Sequence, residues 1–294
     1  MEVIVLAGPN SWYARDLERA AAGRFPVTVM PFTAIRSTLG PAGLEVDWQG
    51  RPIRPGTGIL VRTMPPGSLE QVVFRMDALA RLETAGFVVL NHARAIEAAV
   101  DKYLALAKIQ AAGLPVPPTV VCQTVEDAME AFTNLGGDLV VKPLFGGEGR
   151  GICRVADPDI AFRTFKTLFH LDAVLYLQQY LPAKEGDLRL FVLGEEVFAM
   201  RRFNPSDWRS NVSRGGRTEP AELTPELAAM ARLASQSVGA EICGVDLLTT
   251  CDNQRFILEV NAVPGWQALS RTLNIDIAAR VLDYLERRVD TTTR

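Results

Sequence analysis

The sequence predicts a mixed α/β and α+β protein, in which an open, mostly parallel sheet is followed by a two-lobed α+β region. Three observations carry this. The chain opens as strand, turn and helix: the apolar run Glu2 to Ala7, then Gly8-Pro9-Asn10, then an amphipathic stretch from Trp12 to Ala22. A proline cluster at Pro115, Pro117 and Pro118 stops a helix and marks a change of organisation. Near the C-terminus, two apolar β-rich runs flank the turn formers Asp252 and Asn253, which reads as a hairpin.

Taken in order, further strands are expected at Val27 to Met30, Leu44 to Trp48, Gly58 to Val61 and Phe87 to Leu90, with a helix from Ser68 to Gly86. No GxGxxG follows the first strand, so dinucleotide binding is not indicated. Helical periodicity runs from Ala95 to Ala112 and ends at Gly113. Beyond the prolines come strand Thr119 to Cys122, helix Val125 to Leu135, strand Leu139 to Lys142, a glycine-rich turn, strand Ile152 to Val155, helix Pro158 to Phe169 and strand Val174 to Tyr180. Leu181-Pro182 reads as a hinge. Strands Leu188 to Leu193 and Val197 to Arg202, helix Pro225 to Val238, the hairpin and a terminal helix complete the chain, with Asp290 to Arg294 as a polar tail. The expected domains are 1–94, 95–181 and 182–294.

Composition narrows the function. The 294 residues are 48% hydrophobic and 22% charged, enough for a substantial core without disulfides. No apolar run reaches membrane-spanning length, and the N-terminus lacks the basic start of a secretory signal, so no membrane role and a cytoplasmic location are expected. Cys122, Cys153, Cys243 and Cys251 lack CxxC spacing and are expected to be reduced and mostly buried. With only His92 and His170, a Ser-His-Asp hydrolase is not indicated. A net charge of -3 argues against nucleic acid as a partner.

Charge is nonetheless concentrated between positions 201 and 217, where Arg201, Arg202, Arg209, Arg214 and Arg217 face one acid, Asp207. Arginine without lysine suits bidentate recognition of carboxylate or phosphate, though a solvated basic loop reads the same way. The glycines at 146, 147, 149 and 151 lie between two strands, where backbone amides can close over phosphate oxygens, with Lys142 at their base. No Lys-Ser/Thr closes this loop, so it is not a Walker A motif. Glu259 and Asn261 stand two apart on one expected strand and share a face, while Leu258 and Val260 are expected to enter the core. A tight turn would put Asp246 opposite Glu259. Such a trio can hold magnesium against a phosphate; taken alone it equally fits solvent-facing acids on an ordinary hairpin.

Together these parts resemble the RimK-type α-L-glutamate ligases of the ATP-grasp superfamily, over about Asn91 to Arg287. The motifs are Val141-Lys-Pro-Leu-Phe-Gly-Gly-Glu-Gly-Arg-Gly151, Leu177-Gln-Gln-Tyr-Leu181, Gly186-Asp-Leu-Arg189, Arg209-Ser-Asn-Val-Ser-Arg-Gly-Gly216, Gly244-Val-Asp246 and Leu258-Glu-Val-Asn-Ala-Val-Pro-Gly265. Within the family, Val61 to Asp77, Ala95-Ile-Glu97 and Asp101-Lys-Tyr103 resemble ligases that add glutamate to tetrahydromethanopterin. The resemblance implies an ATP-grasp fold behind an N-terminal pre-ATP-grasp domain, and an ATP-dependent ligation of an amino acid such as glutamate to a small-molecule carboxylate acceptor through an acyl phosphate. It implies ATP contacts from Lys102, Lys142, the flap glycines Gly146, Gly147, Gly149 and Gly151, an adenine site at Gln179, Tyr180 and Leu181, and further contacts from Arg209, Ser210 and Asn211. Asp187 would lie near the ribose or brace Arg189. Arg202 and Arg214, with Asn211, would form the catalytic set, and Asp246, Glu259 and Asn261 would hold magnesium, two ions, or manganese. It also implies a homo-oligomer, dimer or tetramer. Acceptor specificity is expected at Arg62, Phe74, Arg75 and Trp266. Alternatives are the same chemistry on a peptide tail, carrier protein or deazaflavin, or a nucleotide-gated binding protein without ligation.

Overall fold

The computed structural model describes residues 1–41, 43–48 and 50–292. Strands β1 (Glu2–Leu6) and β2 (Val27–Met30) flank helix α1 (Trp12–Ala21). Then follow β3 (Ile35–Gly40), β4 (Gly43–Trp48), β5 (Arg51–Pro52), β6 (Thr57–Val61), α2 (Leu69–Thr84) and β7 (Val88–Leu90). The first sheet is parallel throughout, in the order β2-β1-β6-β7. The segment expected as a strand at 44–48 is one, but it belongs to a separate antiparallel sheet, β3-β4-β5. Strand β3 was not expected, because polar Arg36, Ser37 and Thr38 hide its pattern. Helix α2 starts at a reciprocal cap in which Ser68 and Gln71 each accept from the other's backbone amide.

The single helix expected over 95–112 is two, α3 (Ala93–Val100) and α4 (Lys102–Ala111). Asp101 breaks it: its backbone is extended and its carboxylate accepts from the amides of Tyr103 and Leu104, starting a new helix at Lys102. The next lobe comprises β8 (Thr119–Cys122), α5 (Val125–Asn134), β9 (Leu139–Lys142), β10 (Cys153–Val155), α6 (Pro158–His170) and β11 (Leu175–Gln179), in an antiparallel sheet ordered β10-β9-β11-β8. The last sheet is antiparallel, β14-β13-β12-β15-β16, from β12 (Ala183–Leu193), β13 (Glu196–Phe203), β14 (Arg217–Pro220), β15 (Ile242–Thr250) and β16 (Arg255–Asn261). Helix α7 (Pro225–Val238) is capped by Thr224 and ends at Gly239 in the left-handed conformation.

Helices α8 (Gln267–Leu273) and α9 (Ile277–Thr292) follow. Asp290 to Thr292, expected as tail, continue α9; the last two residues of that stretch lie outside the described residues. Helix α9 packs on α1, β6 and β7, so the C-terminus returns to the first sheet, where Val281, Leu282 and Leu285 share a core with Val3, Val5 and Leu60. Asn91 ties the two regions together. Its amide nitrogen donates to the carbonyls of Ile242 and Ala262, and its oxygen accepts from the amides of Glu241 and Ile242, all at 2.6 to 2.8 Å. Among the described residues no helix is long and apolar enough to cross a membrane. The four cysteines are free, but only Cys243 is buried; Cys153 and Cys251 are exposed, contrary to the expectation of mostly buried thiols.

Candidate active site

The hairpin β15–β16 sets the geometry. Asp246 pairs directly with Glu259, as expected from the turn. The register then slips, so that Leu247 faces Ile257 and Leu258 is an extra residue. The bulge corrects the expectation for Leu258: Ile257 and Val260 enter the core, while Leu258 lines the cleft beside Leu248 and Glu259.

Beneath this cleft lies a chain of alternating charges. Strand β12 places Asp187 opposite Arg202 on β13 and Arg189 opposite Asp246 on β15. Arg202 donates through Nε and Nη2 to the two oxygens of Asp187, both at 2.8 Å, and its Nη2 lies 2.9 Å from Asp246. Arg189 Nε lies 2.9 Å from the other Asp246 oxygen, and Ser210 donates its hydroxyl to Asp187 at 2.6 Å. Asp187 therefore braces Arg202, not Arg189, because cross-strand neighbours meet before same-strand ones. Gly244 permits the arrangement: a Cβ there would stand 2.0 Å from Arg189 Nη1. Burial opposes ionisation of Asp246, but Arg189 and Arg202 outweigh it and hold its carboxyl below the usual range. Glu259, also within hydrogen-bonding reach of Asp246, is pushed the other way by burial and by the Asp246 charge.

These residues fit a divalent cation. Two carboxyls share one site, and Glu259 resists ionisation first through burial and then through the Asp246 charge, which a bound divalent cation would offset. Asp246 Oδ1 is buried and ion-paired with Arg189 but lacks a well-aligned hydrogen bond. Asn261 lines the neighbouring cleft, and its Oδ1 accepts from the amide of Val263 at 2.9 Å with a second lone pair left over.

Lys142 at the end of β9 points its ammonium at Gln178 Oε1, 2.6 Å away, and burial pulls it down to about 8. Gln178, which sequence reasoning missed in favour of Gln179, is only 3% exposed. Strand alternation was the available signal: Leu175 and Leu177 fill the lobe core, which leaves Gln178 on the opposite face, where it lines the cleft. Gln179, Tyr180 and Leu181 do line that cleft. Tyr180 lies under Arg154, whose guanidinium carbon is 3.6 Å from the ring centre, and edge-on to Trp208, a wall residue also missed.

The glycine flap is folded down. Lys102, 8% exposed at the first turn of α4, donates to the Gly146 carbonyl at 2.6 Å. Gly149 is buried beside Asn211 and Arg214, and Ser213 donates to the Glu148 carbonyl at 3.2 Å. Arg209 is held by Asp207 and reaches the Ile152 carbonyl at 3.2 Å, whereas Arg214 lies 3.7 Å from Asp207.

Two clefts meet here. One, of about 870 Å³, is lined by Lys142, Gln178 to Leu181, Asp187, Arg209, Ser210 and Glu259. The other, of about 1780 Å³, runs from Arg189, Arg202 and the flap residue Glu148 to Gly8–Tyr13 and Arg62 of the first domain. Asn211 and Glu259 line both. Of the expected specificity residues only Arg62 lines the second cleft. Trp266 is fully buried in the core, Phe74 faces solvent at 44% exposure, and Arg75 donates to the Pro65 carbonyl.

A RimK-like ATP-grasp domain model matches residues 99–285. The chain is 32% identical to the tetrahydromethanopterin:alpha-L-glutamate ligase of Methanosarcina acetivorans, covering 96% of this chain and 98% of that one. It is 28% identical to the ribosomal protein bS6–L-glutamate ligase of Escherichia coli, covering 99% and 97%. Among solved structures it resembles the ATP-grasp ligase PsnB, complexed with a phosphomimetic variant of its minimal precursor, Mg and ADP, at a TM-score of 0.77, 24% identity and 98% coverage of both chains. The chain belongs to the RimK-like ATP-grasp family.

Proposed function

We propose that this ATP-dependent ligase joins L-glutamate to the carboxylate of a small acceptor of the tetrahydromethanopterin type. The meeting of two clefts over Glu259 and Asn211 carries the reading, since it lets a nucleotide's terminal phosphate and an acceptor carboxylate approach from opposite sides. ATP occupies the smaller cleft. Gln179, Tyr180 and Leu181 receive the base, Asp187, Arg189, Arg209, Ser210 and Asn211 flank the sugar and phosphates, and Lys102, Lys142 and the flap from Gly146 to Gly151 cover the phosphate chain. Asp246, Glu259 and Asn261 take the magnesium, which supplies charge neutralisation at the phosphate oxygens.

The acceptor carboxylate attacks the γ-phosphorus, the bond to ADP breaks, and the glutamate amine then displaces phosphate to leave an amide. No protein nucleophile is needed, because phosphoryl transfer is catalysed by positioning and neutralisation. Arg214, next to the buried flap glycine Gly149, is placed to follow the transferred phosphoryl group, and the lowered flap shields the acyl phosphate from water. The similarity to the bS6 ligase over 99% of the chain favours a peptide tail as the second reading.

The test is mass spectrometry after incubation with ATP, magnesium and glutamate against pterin, deazaflavin and peptide acceptors. A glutamyl mass gain on the pterin alone supports the first reading, and a gain on peptide alone supports the second. No gain on any acceptor, with ATP still bound, would favour a nucleotide-gated binding protein.

A further inference from the structure

The second cleft ends at a place where the first sheet changes direction. From β1 the chain steps to β2 on one side and then crosses back to β6 on the other, so the gap beyond the carboxyl ends of β1 and β6 is a topological switch point. Ligands of open parallel sheets bind in such gaps. Here the amides of Arg62 and Thr63 both reach the Leu6 carbonyl, at 2.9 and 3.0 Å, closing the base of the gap. Gly8 to Tyr13, ending in the first turn of α1, form one wall; Arg62 and Thr63 form the other.

Arg62 is chemically out of place for a structural residue. It is 5% exposed, and no ion pair joins it to any carboxylate among the described residues. Its Nη2 donates to the Pro264 carbonyl at 2.6 Å, while Nε and Nη1 have no partner. The guanidinium lies over two rings, 4.1 Å from the centre of Trp266 and 4.8 Å from that of Tyr13. Asp16 accepts from Trp266 Nε1 at 3.0 Å and pairs with Arg19. Burial without a counter-ion lowers its basicity to about 10. An unpaired buried cation is costly, and its persistence on a cleft wall points to an anion supplied from outside.

We infer that Arg62 and the first turn of α1 form the subsite for the side-chain carboxylate of the incoming glutamate, and so select a dicarboxylic amino acid. This rests on the proposed glutamate ligation. The α-carboxylate travels beside the reacting amine and must stay near Arg189 and the phosphoryl end of the cleft. The side-chain carboxylate lies further along the molecule, where Tyr13 stands under Arg62 on the wall of the same cleft that Arg189 and Glu148 line. The α1 amides add a partial positive charge to the full one on Arg62.

The experiment is calorimetric titration of the full-length protein, saturated with ADP and magnesium, with L-glutamate and with L-glutamine, for the wild type and for Arg62→Met and Arg62→Lys. A charge-assisted hydrogen bond lost to the amide should make wild-type binding of glutamate tighter by about tenfold or more. In Arg62→Met that preference should fall to within about twofold, and Arg62→Lys should recover part of it. Retained ADP binding certifies a folded variant. Equal affinity for the two amino acids in the wild type, no measurable glutamate binding, or an undiminished preference in Arg62→Met overturns the assignment. Failure of the ligase reading itself would show separately, as absence of amide product from every acceptor.

Discussion

Lys142→Met should make the ligand-free protein more stable while weakening nucleotide binding. The ammonium has one side-chain hydrogen-bond partner, Gln178, and burial lowers it from 10.5 to about 8. At about 1.4 kcal/mol per unit, holding this cation in the cleft costs about 3 kcal/mol, net of the attraction from Glu259. Below about 8 both folded and unfolded chains keep the proton and the penalty is complete; between about 8 and 10.5 the folded protein releases it and the penalty fades. Methionine retains the stem and removes the charge. Urea denaturation should therefore show the variant more stable at about pH 7, by at most about 3 kcal/mol, with the gap narrowing by about pH 9.5. Loss of a charge-assisted contact to phosphate should weaken ATP binding by about 10- to 100-fold in a fluorescence titration. A variant less stable than wild type at neutral pH, or one binding ATP within about twofold of wild type, would refute the reasoning.

Gly149→Ala should cripple turnover. Its φ of +71° is left-handed and an added Cβ would stand 2.5 Å from Asn211 Oδ1, so the flap cannot settle as it does here. We expect a fall of about 5- to 30-fold, from the roughly 1 to 2 kcal/mol that a left-handed residue alone costs, read as ADP release under saturating ATP; wild-type turnover would show the flap position to be incidental. Glu259→Gln should end amide formation yet leave the melting temperature equal or higher, because burial and Asp246 already disfavour its charge. Near-normal ligation by that variant would remove Glu259 from the metal site. Asn91→Ala should cost about 3 kcal/mol in denaturant unfolding, from four hydrogen bonds joining the segment after β7 to the chain at the start of β15 and just past the end of β16. A loss below about 0.5 kcal/mol would mean that water replaces them.

The hairpin register was legible because strand period and turn residues fix which side chains face each other, and Asp246 does face Glu259. What sequence could not show was the bulge, since Leu258 looks like any core leucine until the partner strand is counted against it. The same limit hid the partner of Asp187. Motif spacing groups Asp187 with Arg189, while the sheet groups it with Arg202, fifteen residues away. Gln178 lost to Gln179 because family motifs name neighbours and alternation chooses between them. Helix α3 joined α4 on hydropathy, although Asp101 carries the N-cap that divides them. Trp266 illustrates a further limit: a tryptophan beside a metal motif reads as a ligand wall, but its indole fills the core and its nitrogen serves Asp16.

The distribution of unpaired charge separates scaffold from working groups. Asp187, Arg202, Asp246 and Arg189 alternate in sign and cancel, so together they present little field to a phosphate, and burial with basicity raised by both acids makes Arg202 a strut. Arg209 is likewise clamped by Asp207. Attraction for a phosphoryl group must then come from cations without a carboxylate clamp, which are Lys142, Lys102 and the half-released Arg214, together with whatever cation Glu259 holds. Arg62 stands alone in the same sense at the far end of the second cleft. Lys142, Lys102 and Arg62 are each disfavoured as cations by burial and would be relieved by an anion, so ligand binding and folding stability are linked through the same few side chains. Neutralised arginines fix where the substrates lie, and the unpaired cations at the two ends supply the attraction that brings them there.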